Sequence, residues 1–138
     1  MGIQEKKRAE SFIATRRHHL LETAEDYVEL VADLIQIQGQ ARICDLADHL
    51  GVSHVTVVRT VQRLQQKGYV HAQPHKPITL TEKGKQLADF SKSRHDFLFE
   101  YLISIGVPEE IAAIDAEGME HHVSVETLEA FRNQLKCK

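Results

Sequence analysis

A chain of 138 residues with 42% hydrophobic residues, a formal net charge of −3 and two cysteines is long enough for one large domain or two small ones that share a core. It holds no apolar run near the ~18 residues of a membrane span, and the basic start Lys6-Lys7-Arg8 is not followed by the apolar stretch of a secretory signal. Cys44 and Cys137 are too few and too far apart for a disulfide framework or a thiolate zinc site, so the composition predicts a protein of the reducing cytoplasm that does not enter a membrane.

In chain order, Leu20/Leu21, Ala24, Tyr27/Val28, Val31 and Leu34/Ile35 recur at helical spacing and predict an amphipathic helix ending near Gly39. A short helix from Arg42 to Leu50 follows. Gly51-Val52 forms a tight turn, Ser53 caps a third helix, and Val57/Val58, Val61 and Leu64 face inward as far as the stop at Gly68. Ala47, Gly51 and Val57 have the offsets of a helix-turn-helix: a small residue where two helices touch, a glycine in the turn and a branched residue under the second helix. Tyr69–Gln73 then reads as a strand, Pro74-His75-Lys76-Pro77 as a break and Ile78–Leu80 as a second strand, before Thr81 caps a new helix. This is a two-stranded wing with a basic tip.

The charge is segregated in step with these elements. Residues 51–85 carry six basic groups against one acidic, residues 1–50 six against nine, and residues 86–138 five against ten. A basic winged helix between acidic flanks predicts binding to double-stranded DNA. With the apolar stripe inward, His54, Val55, Thr56, Arg59 and Thr60 are expected at the major groove and Arg63 and Lys76 on phosphate, with Ser53 also among the DNA-binding residues.

Beyond Thr81 three more helices are expected: Glu82 to about Ile105, one with Pro108 at its first position, and one after Ser124. The reading is thus a mainly α protein. Residues 1–80 form a winged helix-turn-helix DNA-binding domain with a basic N-terminal extension, and residues 81–138 a helical dimerisation and metal-binding domain. Phe97, Leu98, Tyr101, Leu102, Ile111 and Ile114 exceed what one thin helical layer hides, which predicts a homodimer.

The segment Asp115-Ala116-Glu117-Gly118-Met119-Glu120-His121-His122 gives the second domain its chemistry. Glu117, Glu120 and His121 fall at i, i+3 and i+4, on one helical face. Asp26 and Glu29 form another i, i+3 pair, and His95 lies in mid-helix. Either these are solvated acidic faces with stray histidines, or three helices supply oxygen and nitrogen ligands to a divalent cation. The strings of di-metal enzymes, paired E-x-x-H or H-E-x-x-H, do not occur, so no enzyme is expected.

Glu25-Asp26-Tyr27-Val28-Glu29, the helix-turn-helix and wing, Ser93-Arg94-His95 and the Asp115–His122 segment together resemble the diphtheria toxin repressor family and, within it, the branch of manganese transport regulators. The resemblance covers roughly residues 22–131. It implies a manganese-activated repressor of metal-homeostasis genes such as those of manganese uptake, bound as a homodimer to a palindromic operator. It also implies two Mn²⁺ per subunit. Asp26, His95, Glu117 and Glu120 would hold one ion, and Glu29, Glu117, Glu120 and His121 the other. The iron-responsive branch has Met and Cys where this chain has Asp26 and Glu117, which favours Mn²⁺ over Fe²⁺; the alternative is a winged-helix protein that answers to iron or is not metal-gated. The SH3-like third domain of many iron-responsive members is not expected, and the extension through His19 either lengthens the first helix or touches DNA.

Overall fold

The computed structural model describes the backbone of residues 3–136, and the side chains of Glu10 and residues 21–136. Six helices and one two-stranded antiparallel sheet make up the described residues: α1 (Ile3–Gln38), α2 (Ile43–Leu50), α3 (His54–Gln66), β1 (Val70–His71), β2 (Thr79–Leu80), α4 (Glu82–Ser104), α5 (Glu109–Glu120) and α6 (Val125–Lys136). The mainly helical expectation holds, and the N-terminal extension is helical from Ile3 as part of α1. Contacts divide the chain into two compact units, Leu20–Phe90 and a second that gathers residues 91–136 with the start of α1.

In the first unit, Ala24, Tyr27, Val28, Val31 and Leu34 of α1 are buried at helical spacing with Leu46, Ala47, Val57, Val61, Leu64, Val70 and Ile78. Gly39, at φ +86°, ends α1 in the left-handed region that glycine enters without a Cβ penalty. Arg42 is the extended N-cap of α2 rather than its first helical residue, because the Asp45 carboxylate accepts the Arg42 N–H at 3.0 Å and holds it outside the helix. Gly51, at φ +67°, donates its N–H to the Ala47 carbonyl at 3.0 Å and turns the chain. The Ser53 hydroxyl then accepts the Thr56 N–H at 3.2 Å to start α3.

Val58 departs from the expected inward stripe. Val57, Val61 and Leu64 are buried, whereas Val58 is 39% exposed, since one residue turns the helix by about 100° and the core admits only the i, i+4, i+7 row. The first strand is also shorter than predicted. Tyr69 stays tied to the end of α3 through its N–H on the Leu64 carbonyl, and the Lys76 N–H on the Gln73 carbonyl draws Gln73 into the turn at the wing tip. What remains is Val70 opposite Leu80 and His71 opposite Thr79, extended by a bridge between Ala41 and Ile78. Thr81 joins wing to helix: its hydroxyl donates to the Gly68 and Tyr69 carbonyls and accepts the Gly84 N–H. A Cβ on Gly84 would run into the Tyr69 carbonyl, so this close approach requires glycine.

The second unit is built on Leu98, Leu102, Ala112, Ala116 and Leu128, with Phe97, Met119 and Phe131 packed against them. Tyr101 stacks on Phe131 at 4.3 Å between ring centroids and donates its hydroxyl to Gln134. Pro108 is the N-cap of α5 rather than its first helical residue, with ψ at 145° and its carbonyl accepting the Ala112 N–H. The surplus of apolar side chains is smaller than expected. Leu98, Tyr101 and Leu102 are buried within the chain, while Ile111 at 49% and Ile114 at 69% remain exposed on α5.

Candidate metal centre and nucleic-acid interface

The inward stripe of α4 continues towards its N-terminal half through His95, Arg94 and Ser91, one and two turns before the buried Leu98. That row faces Glu117 and Glu120 of α5, with His121, the C-cap of that helix, beside Glu120. His95 Nδ1 lies 3.3 Å from Glu117 Oε2, and His121 Nδ1 lies 3.0 Å from Glu120 Oε2. Glu120 Oε1 accepts from the Ser91 hydroxyl at 2.6 Å and from Arg94 Nη2 at 2.8 Å. The i, i+3 spacing read from the sequence thus sets Glu117 and Glu120 towards α4, where Glu117 meets His95 and Glu120 meets Ser91 and Arg94.

Their burial is uneven. Glu120 is 2% exposed and His121 8%, so both stand in a low-dielectric setting where an uncompensated carboxylate is costly. Glu117 is 60% exposed at its side chain. His95 Nδ1 is buried and makes no aligned hydrogen bond, although it faces the Glu117 oxygen at contact distance. Imidazole nitrogen and carboxylate oxygen are donors suited to borderline and hard divalent ions, Mn²⁺ among them. The residues present fit the metal.

Asp26 and Glu29 lie one turn apart on α1 in the first unit, both half-buried. Glu25 beside them is 2% exposed, as buried as the aliphatic core; the i, i+3 pattern passes over it. Sequence reasoning also gave Ser91 and Arg94 no role. The signal was available, since both extend the Leu98–Leu102 stripe and Arg94 adjoins His95.

The DNA-facing candidates sit on α3 and the wing. Ser53, His54, Val55, Thr56, Arg59, Arg63 and Lys76 are exposed and Thr60 is half-buried. All three hydroxyls are already engaged locally: Ser53 caps α3, its hydroxyl lies 3.0 Å from that of Thr56, and Thr60 donates to the Thr56 carbonyl at 2.9 Å. Lys76 stands at the wing tip beside His75, a non-glycine residue at φ +62°. Arg42, to which the sequence gave no role, donates to the His75 carbonyl at 3.3 Å and fixes the tip against α2. Between α2, α3 and the wing runs a groove of about 510 Å³ whose lining includes Arg42, Val58, Gln62, His75 and Lys76.

Comparison with known proteins finds a family model for each half of the chain. Residues 19–78 match the family model described as iron dependent repressor, N-terminal DNA binding domain, and residues 81–137 match iron dependent repressor, metal binding and dimerisation domain. A transcriptional regulator MntR of Escherichia coli O157:H7 is 45% identical over 130 residues, covering 94% of this chain and 84% of the relative. An HTH-type transcriptional regulator MntR of Lysinibacillus sphaericus is 38% identical over 112 residues, 81% of each chain. Among solved structures, a manganese-dependent transcriptional repressor complex with manganese superposes with a TM-score of 0.71 at 27% identity over 82% of this chain; this chain spans about half of that one, 52%.

Proposed function

Since the chain belongs to the iron-dependent repressor family, whose members bind DNA and metal and regulate transcription rather than catalyse a reaction, we propose that it is a manganese-activated repressor of metal-homeostasis genes such as those of manganese uptake. The observation that carries the reading is the pair of facing turns on α4 and α5, where His95 meets Glu117 and where Glu120, beside His121, meets Ser91 and Arg94. In this reading Asp26 and Glu29 complete the donor set. One Mn²⁺ is held by Asp26, His95, Glu117 and Glu120, and a second by Glu29, Glu117, Glu120 and His121. The four carboxylates carry −4 when ionised, and two bound divalent ions supply the matching positive charge. Residues 1–80 serve DNA binding and residues 81–138 metal binding and dimerisation, in the cytoplasm.

The donor chemistry supports manganese over iron because Asp26 and Glu117 are hard oxygen donors. Zn²⁺ and Cu²⁺ bind such ligands more tightly than Mn²⁺, so selectivity rests on coordination number and geometry. Asp26 and Glu29 lie in the region that matches the DNA-binding model, and the other four ligands in the region that matches the metal-binding model. Binding of the ion is therefore coupled to binding of a palindromic operator by the homodimer. Ser53, His54, Val55, Thr56, Arg59 and Thr60 meet base edges and the adjoining backbone, and Arg63 and Lys76 meet phosphate. The test is reciprocal linkage: operator affinity titrated with and without Mn²⁺, and Mn²⁺ affinity with and without saturating operator, should change by the same factor. Metal affinity indifferent to operator DNA contradicts the proposal.

A further inference from the structure

The two oxygens of Glu120 have different surroundings. Oε1 accepts from Ser91 Oγ at 2.6 Å and Arg94 Nη2 at 2.8 Å, while Oε2 lies 3.0 Å from His121 Nδ1. A carboxylate 2% exposed needs a cation beside it. In this structure Arg94, itself 11% exposed, is that cation. We propose that Arg94 is the built-in counter-ion of the centre when no metal is bound, and that it competes with the divalent ion for Glu120. The inference rests on the metal-centre reading above.

Each carboxylate oxygen has two lone-pair sites, and both sites on Oε1 are taken. An ion reaches Oε2 beside His121 with Ser91 and Arg94 in place. It reaches Oε1 only if one of them gives way. Ser91 is neutral and gives up one hydrogen bond if its hydroxyl turns away, but Arg94 is permanently charged and opposes any cation that approaches its partner. One ion is therefore accepted readily, while an ion that requires the second oxygen of Glu120 is accepted only against Arg94. The arginine then sets how much free metal is needed to load the centre fully. A merely positioning role, in which Arg94 holds Glu120 at the right angle for metal, makes the opposite prediction, because removal of the arginine would weaken metal binding.

The test measures metal uptake directly on the full chain, with free Mn²⁺ followed by electron paramagnetic resonance and melting followed without metal. Arg94→Gln should melt several degrees lower than the wild type in the absence of metal and bind its weaker Mn²⁺ roughly tenfold tighter. Arg94→Lys, which keeps the charge, should bind Mn²⁺ as the wild type does. Weaker Mn²⁺ binding by Arg94→Gln overturns the competition. If that variant does not fold, Ser91→Ala frees one site on the same oxygen and should tighten the weaker step by about two- to threefold, and a loss of affinity there overturns the proposal equally. Failure of the wild type itself to take up Mn²⁺ removes the underlying metal-centre reading, and is told apart because no variant then binds.

Discussion

Along α3, Arg59 and Arg63 stand in solvent and the neighbouring hydroxyls of Ser53 and Thr60 are satisfied within their own helix. Along the facing turns of α4 and α5, Ser91, Arg94, Glu120 and His121 are buried or nearly so, and Ser91 and Arg94 bond to Glu120 across the two helices. On the proposed function, the first region would meet DNA as a preformed surface whose side chains cost the fold little. In the second, function and stability would share atoms, so a substitution there would act on both.

The largest effect expected from this contrast is on stability at Glu120. Glu120→Ala removes the carboxylate that pairs Arg94 and Ser91, leaving a buried guanidinium without its partner oxygen, and should destabilise the fold by about 3–5 kcal/mol in denaturant titration. Glu117→Ala, at a side chain 60% exposed, should stay within about 0.5 kcal/mol. Equal losses at the two positions would break the distinction between them.

Next in size is the base contact. Arg59→Ala should leave melting unchanged, weaken operator binding by about 1–3 kcal/mol and relax preference at one base position, as measured by competition among operator variants. The smallest effect belongs to the phosphate contacts. Arg63→Ala or Lys76→Ala should weaken binding to all sequences alike and lower the slope of log affinity against log salt by about one for each lost contact. A Lys76→Ala protein with altered sequence preference and an unchanged slope would move the wing tip from phosphate to base recognition.

The difference between the regions also governs what could be read from sequence. The helix-turn-helix was legible because its determinants are local: Ala47, Gly51, Ser53 and Val57 act within a few residues of one another through the glycine turn and the cap. Glu117, Glu120 and His121 were legible as a row for the same reason, and His95 as a companion. What sequence withheld was the pairing between rows. That Glu120 faces Ser91 and Arg94 depends on α4 and α5 packing over Leu98 and Ala116, contacts separated by more than a helix of chain. Where local rules misled, as with the inward Val58, the long β1 and Pro108 as a first helical residue, a competing contact prevailed: the Val57–Val61–Leu64 row, the turn at Gln73 and the Ala112 N–H on the Pro108 carbonyl.

The central claim is that the α4–α5 cluster is the metal switch of a DNA-binding protein, and Glu117 is the position at which that claim separates from stability. Operator affinity of Glu117→Ala should be measured with and without saturating Mn²⁺, alongside its melting curve. The account predicts a wild-type fold, a retained weak and salt-sensitive background of DNA binding, and no increase in operator affinity on adding Mn²⁺. A full response to Mn²⁺ in that variant would contradict it, because the exposed carboxylate opposite His95 could then have no part in the switch.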